Sequence, residues 1–150
     1  MNDTTNLGEL TLTRIYEAPR DLVFRCMIEP EHLTNFWGPI GTSTPLDGIV
    51  VEPRPGGRFE TKMVSDDDAS EFTMRAGFVA VDAPERIVWT EPGVEGGMTT
   101  SITFIDLGND RTEVVSHQTN IPEMFRTPEA QAGLESSFDK FAAYLSTLSA

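Results

Sequence analysis

The chain begins its pattern with an alternation. From Glu9 to Tyr16 (ELTLTRIY) polar and apolar positions take turns, the period of a strand with one face in a core, and Leu10, Leu12 and Ile15 form the expected core-facing set. Ala18-Pro19-Arg20-Asp21 then turns into a helix, because proline suits a first helical position. Val23, Phe24 and Met27 make its apolar face, Pro30 breaks it, and a second short helix is expected from Glu31 to Phe36, ending near Gly38-Pro39. From Gly48 to Asn120 the period is two. Ile49-Val50-Val51 is β-branched, and Phe59, Thr61 and Met63 alternate with Arg58, Glu60 and Lys62. Phe72, Met74, Ala76 and Phe78 repeat the pattern, followed by Ile87 with Trp89, Ile102 with Phe104, and a returning strand from Thr112 to Gln118. Turn chemistry separates these runs at Pro53–Gly57, Ser65–Asp68, Asp82–Glu85, Glu95–Gly97 and Gly108–Asp110.

The period then changes to that of a helix. Thr127-Pro128-Glu129 combines a capping threonine, a proline at the first position and an acid near the positive end of the dipole. Leu134, Phe138, Phe141, Leu145 and Leu148 follow at spacings of 4, 3, 4 and 3, one apolar stripe on a helix of about five turns. Strands joined by short turns form a meander, and a meander with one apolar face needs a cover. The pattern therefore predicts an α+β fold. A curved antiparallel sheet of six or seven strands is closed by the long C-terminal helix, with two short helices at one end and an apolar cavity between. No linker or repeat divides residues 1–150, which read as one domain with a flexible tail at 1–8.

Composition and charge remove several alternatives. Hydrophobic residues make up 39% and charged residues 23%, a globular balance. The formal net charge of −13, with no local basic cluster, argues against nucleic acid and anionic membrane surfaces. No apolar run reaches the roughly 20 residues of a membrane helix, so no membrane insertion is expected. The start of the chain lacks a signal-peptide pattern, and the expected compartment is the cytoplasm. The lone Cys26, on an apolar helix face, reads as a small buried hydrophobe.

Motifs for chemistry are sparse. Two histidines and one cysteine, far apart, have no metal-ligand spacing. Asp66-Asp67-Asp68 lacks the glycine and distal glutamate of a calcium loop, and Pro55-Gly56-Gly57-Arg58 is a turn rather than a phosphate loop. No cofactor is implied. His117, in Val115-Ser116-His117-Gln118, is the single candidate for a catalytic group: in a pocket it could act as a general base, and at a strand end it could simply satisfy backbone or solvent. His32, at a helix start, reads as a surface residue.

Three segments carry a resemblance: Asn35–Pro39 with Pro53–Phe59, Val81–Thr90, and Gly133–Leu145. In order and spacing they resemble the bacterial homologues of the activator of Hsp90 ATPase, within the helix-grip (START-like, Bet v 1-like, SRPBCC) superfamily. The chain departs from the family pattern at Leu134, where a tryptophan is frequent, at Ala76, where a glycine is frequent, and at Ala83, where a proline is frequent. The resemblance implies a pocket for a small apolar or aromatic molecule, with Trp37, Phe59, Met63, Met74, Phe78, Trp89, Phe104 and Phe138 as its lining and Trp37 near its mouth. The alternatives it implies are a chaperone-activating interaction module with a protein partner, and a polyketide cyclase-like enzyme working through His117. Binding is favoured over catalysis. Such folds commonly pair as homodimers, and the sequence marks no dedicated interface.

Overall fold

The computed structural model describes residues 8–93 and 97–148. The expected tail at residues 1–7, and residues 94–96 of the expected Glu95–Gly97 turn, lie outside the described residues; Gly8 already belongs to the first strand.

The element order is β1 (Gly8–Tyr16), α1 (Arg20–Cys26), α2 (Pro30–Leu33), β2 (Thr42–Ser43), β3 (Val50–Val51), β4 (Arg58–Ser65), β5 (Glu71–Asp82), β6 (Arg86–Glu91), β7 (Met98–Gly108), β8 (Arg111–Ile121) and α3 (Pro128–Leu148). Short 3-10 turns lie at Leu46–Gly48 and Glu123–Phe125. The eight strands form one antiparallel sheet in the order β1-β8-β7-β6-β5-β4-β2, with β3 also paired to β4. Five of these strands are the expected meander. The first strand returns to pair with the last, which no local signal foretells.

The turns follow their residues. Asn109 and Asp110 take φ of 56° and 57° between the paired Gly108 and Arg111. Two central residues with positive φ match the right-handed twist of the flanking strands. In β5 the register slips between Phe78 and Ala80. Phe78 pairs with Trp89 and Val81 with Ile87, so the extra residue keeps both pairs on the concave face while the sheet bends. The α3 cap is the expected one: Thr127 Oγ1 accepts a hydrogen bond from Ala130 N at 3.1 Å.

The core lies where α1, α2 and the C-terminal half of α3 meet the concave face. Phe24 sets its edge against Phe104 at 5.2 Å between ring centroids. Phe141 stacks on Phe36 at 4.2 Å and tilts against Tyr16 at 4.9 Å. Phe59, Phe78, Trp89 and Trp37 interlock at 4.8 to 6.2 Å.

Three expectations shift. Ile15 is 44% exposed, and its place in the inward phase is taken by Arg14 and the buried Tyr16. Arg14 is tolerated there because it reaches Asp139 on α3 at 2.7 Å and lies over the Tyr16 ring. Phe72 is 55% exposed, because β5 begins beyond the reach of the helical cover. Of the α3 stripe, only Phe141 and Leu145 are buried; Leu134 and Phe138 are half-buried and Leu148 is exposed.

Candidate functional site

The concave face can be read from register. Inward positions on β8 are Thr112, Val114, Ser116 and Gln118; those on β7 are Phe104, Ile102, Thr100 and Met98. On β6 they are Ile87, Trp89 and Glu91, and on β1 Tyr16, Arg14, Leu12 and Leu10. These positions form rows across the sheet. Tyr16, Thr112, Phe104 and Ile87, one from each of four strands, lie toward the end covered by α1 and are buried. Leu10, Gln118, Met98, Glu91 and Met74 lie toward the other end, in more than one row, and each is only half-buried.

The N-terminal half of α3 is held at its two flanks. On one side Arg14 pairs with Asp139. On the other, Ser136 Oγ accepts from Ile40 N at 3.0 Å, and Lys140 Nζ donates to the carbonyls of Thr42 at 3.1 Å and Pro39 at 3.4 Å. Burial pulls the Lys140 ammonium below its ordinary pKa. Between these ties the apolar stripe continues through Phe138 and Leu134, which stay half-buried. Apolar side chains of the helix and of this end of the sheet are thus left half-buried.

The eight residues expected to line the pocket come together at the concave face and its cover, but they divide. Phe59, Phe78, Trp89 and Phe104 are buried and pack ring against ring, so they are core. Trp37 is fixed among them: its Nε1 donates to Thr61 Oγ1 at 3.1 Å, so it closes the filled end instead of marking a mouth. Met63, Met74 and Phe138 keep partial exposure. His117 is not with them. It pairs with Thr11 and Ser101 on the convex face, its side chain is 42% exposed, and its Nε2 lies 3.4 Å from Glu9 Oε1. A histidine on that side cannot serve as a pocket base, because the pleat turns its side chain away from the cavity.

The polar groups of the concave face are Thr61, Thr100, Thr112, Ser116, Gln118 and Glu91. Thr112 Oγ1 donates to Ala18 O at 2.7 Å, which ties β8 to the start of α1. Gln118 Nε2 donates to Thr100 Oγ1 at 3.3 Å. Burial raises the Glu91 carboxyl above its ordinary pKa. Gln118 and Glu91 are legible in hindsight, since they keep strict alternation with Ser116 and with Ile87 and Trp89.

A second polar cluster joins α2 to α3. His32 Nδ1 and Tyr144 Oη are 2.6 Å apart, and His32 Nε2 lies 3.4 Å from Glu29 Oε1. His32 is therefore a bridging residue and not a surface one. Tyr144 borders a shallow open depression with Asn35, Lys140, Ala143 and Thr147, outside the sheet–helix cleft. Cys26 is buried nearby, and burial pushes its thiol up to about 12. No group of histidine, cysteine and acidic side chains that could hold a metal occurs among the described residues, and none of their helices is long and apolar enough to cross a membrane.

A curved antiparallel sheet gripped by one long C-terminal helix defines the helix-grip class, to which START-like proteins belong. Residues 17–146 match the family described as activator of Hsp90 ATPase homolog 1-like protein, and the chain belongs to that family. Among solved structures it is similar to protein CV1439 from Chromobacterium violaceum, with a TM-score of 0.81 and 22% identity over 91% of this chain and 96% of that one. It is similar also to protein NE0264 from Nitrosomonas europaea, with a TM-score of 0.79 and 23% identity over 99% of each chain. The AHSA1-like protein from Aeromonas hydrophila matches with a TM-score of 0.79 and 22% identity over 95% of this chain and 94% of that one. At such identities the likeness speaks for the fold. No curated protein matches the chain.

Proposed function

We propose that this protein binds a small apolar or aromatic molecule in a cleft between the N-terminal half of α3 and the half-buried end of the sheet at Leu10, Gln118, Met98 and Met74. The observation that supports this reading is the break in burial along one helix stripe. Phe141 and Leu145 are buried, whereas Phe138 and Leu134, on the same stripe, are not. Apolar side chains left half-covered on two facing surfaces gain free energy when a third apolar body fills the space between them, at about 25 cal/mol per Å² removed from water. The reading is of binding rather than catalysis, since His117 lies on the convex face. Native mass spectrometry of the protein purified from cells, together with NMR titration of a short-chain apolar probe, tests it. Expected are probe shifts confined to Leu134, Phe138, Met98 and Leu10. Shifts confined to the Tyr144 depression, or no saturable shift, would overturn it.

A further inference from the structure

The convex face of β1, β8 and β7 stays open along its length. From Glu9 to Ile15 on β1, Glu113 to Thr119 on β8 and Thr99 to Leu107 on β7, none of the outward side chains is buried. Most of these positions hold threonine, serine or a charged residue, as a wet sheet face should. One row departs from that rule. Glu113 lies directly opposite Ile15 on one side and directly opposite Ile105 on the other. Both isoleucines are exposed, and so is Leu107, two positions beyond Ile105. In the adjoining row Val115 lies half-buried between Thr13 and Thr103. The apolar side chains of this face thus gather around one carboxylate.

That carboxylate is half-buried, and its side chain makes no hydrogen bond and no ion pair among the described residues. The cations beside it are engaged elsewhere. Arg111, two positions earlier on β8, lies 3.1 Å from Glu17, and Arg86, opposite Thr103, lies 3.5 Å from Asp82. Flat apolar area with one unanswered charge at its centre is the complement of a surface that carries one cation amid apolar side chains. Closing the two together removes the isoleucines from water and gives the charge pair a dry rim, where a charge-assisted hydrogen bond is strongest. The net charge of −13 draws a basic partner toward the protein and repels a second copy, which brings the same charge.

We propose that Ile15, Glu113, Ile105, Leu107 and Val115 form a docking site for a basic protein partner, one that presents an arginine or lysine ringed by apolar side chains. The cation meets Glu113, and its apolar neighbours cover the two isoleucines and Leu107. The site lies across the sheet from α3 and does not depend on the small-molecule reading above.

The test uses two soluble peptides that differ only at the centre, arginine in one and glutamine in the other, with isoleucine and leucine on each side. Both are titrated into the full chain and followed by NMR. Wild type should bind the arginine peptide about tenfold tighter than the glutamine peptide, with shifts confined to Ile15, Glu113, Ile105, Leu107 and Val115. Glu113→Gln should bind the two peptides equally. Ile105→Ser and Ile15→Ser should each weaken both peptides. Glu9→Gln removes the same charge from the same face and should keep the preference, which separates Glu113 from the general field of the protein. Equal binding of the two peptides by wild type would overturn the proposal, and so would a preference that survives in Glu113→Gln. Failure of both peptides to bind wild type would overturn it as well. Dimers of wild type in sedimentation that Ile105→Ser abolishes would show that a second copy covers the face, and would overturn the basic partner.

Discussion

The indole Nε1 of Trp37 donates a hydrogen bond to the hydroxyl of Thr61, 24 positions along the chain and buried in the sheet, at 3.1 Å. The pair fixes the loop after α2 onto β4 and completes the ring cluster with Phe59 and Trp89. Thr61→Val keeps the shape and removes the acceptor. It should lower the unfolding free energy by about 1–3 kcal/mol in urea titrations, since the indole N–H loses its partner. Thr61→Ser should lose less. A neutral Thr61→Val would mean that the rings alone hold Trp37.

The two halves of α3 should respond differently to truncation. Phe141→Ala empties a site packed by Phe36 and Tyr16 and should cost about 3–5 kcal/mol. Phe138→Ala removes a half-buried ring and should cost about 1 kcal/mol while weakening binding of an apolar probe. Equal costs for the two would show that the helix seals the sheet along its whole length.

Glu91 predicts a stability dependence on pH whose sign follows from burial. Its folded-state pKa is raised above the ordinary value. The folded state therefore holds a proton that the unfolded state releases, and stability is lost as pH rises through that window. Glu91→Gln should thus stabilise the protein at neutral pH. The gain should fade as pH falls below the raised pKa. Thermal unfolding of both proteins across acidic to neutral pH reads this out, and a gain that persists at low pH would contradict it.

His117→Ala should change neither stability, beyond about 0.5 kcal/mol, nor probe binding, because the side chain lies on the convex face beside Glu9. A loss of binding measured by the same titration would place a site on that face.

Tyr144→Phe removes the hydrogen bond to His32 while leaving the ring stacked on Phe36. Denaturant unfolding should show a loss of about 1 kcal/mol. Binding in the cleft should be unchanged, since the pair lies outside it.

Much of the frame was legible from pattern alone. The alternation in β4 to β8 announced the meander, the Thr127-Pro128 cap announced the start of α3, and Asn109-Asp110 announced a two-residue hairpin. The candidate site was legible only in part. Phe59, Phe78, Trp89 and Phe104 were grouped correctly by face and wrongly by role. Alternation says which side a ring points to and nothing about whether another ring already fills the space there. The sequence leaves His117 open between pocket and strand end for a related reason: its phase is set by pairing with both neighbours, Thr11 and Ser101.

By itself the sequence determined the period of every long element, the inward phase of most strands, the capped start of the long helix and the family to which the chain belongs. Those are local properties, carried by neighbours two to four positions apart. The tertiary structure alone decided that β1 closes onto β8 and that His32 meets Tyr144. It decided also that α3 is buried at Phe141 and Leu145 but only half-buried at Phe138 and Leu134. Each of these depends on how far apart two packed surfaces come to rest. That distance is set by side chains more than a hundred positions apart, such as Arg14 with Asp139 and Lys140 with Pro39, which no periodicity can register.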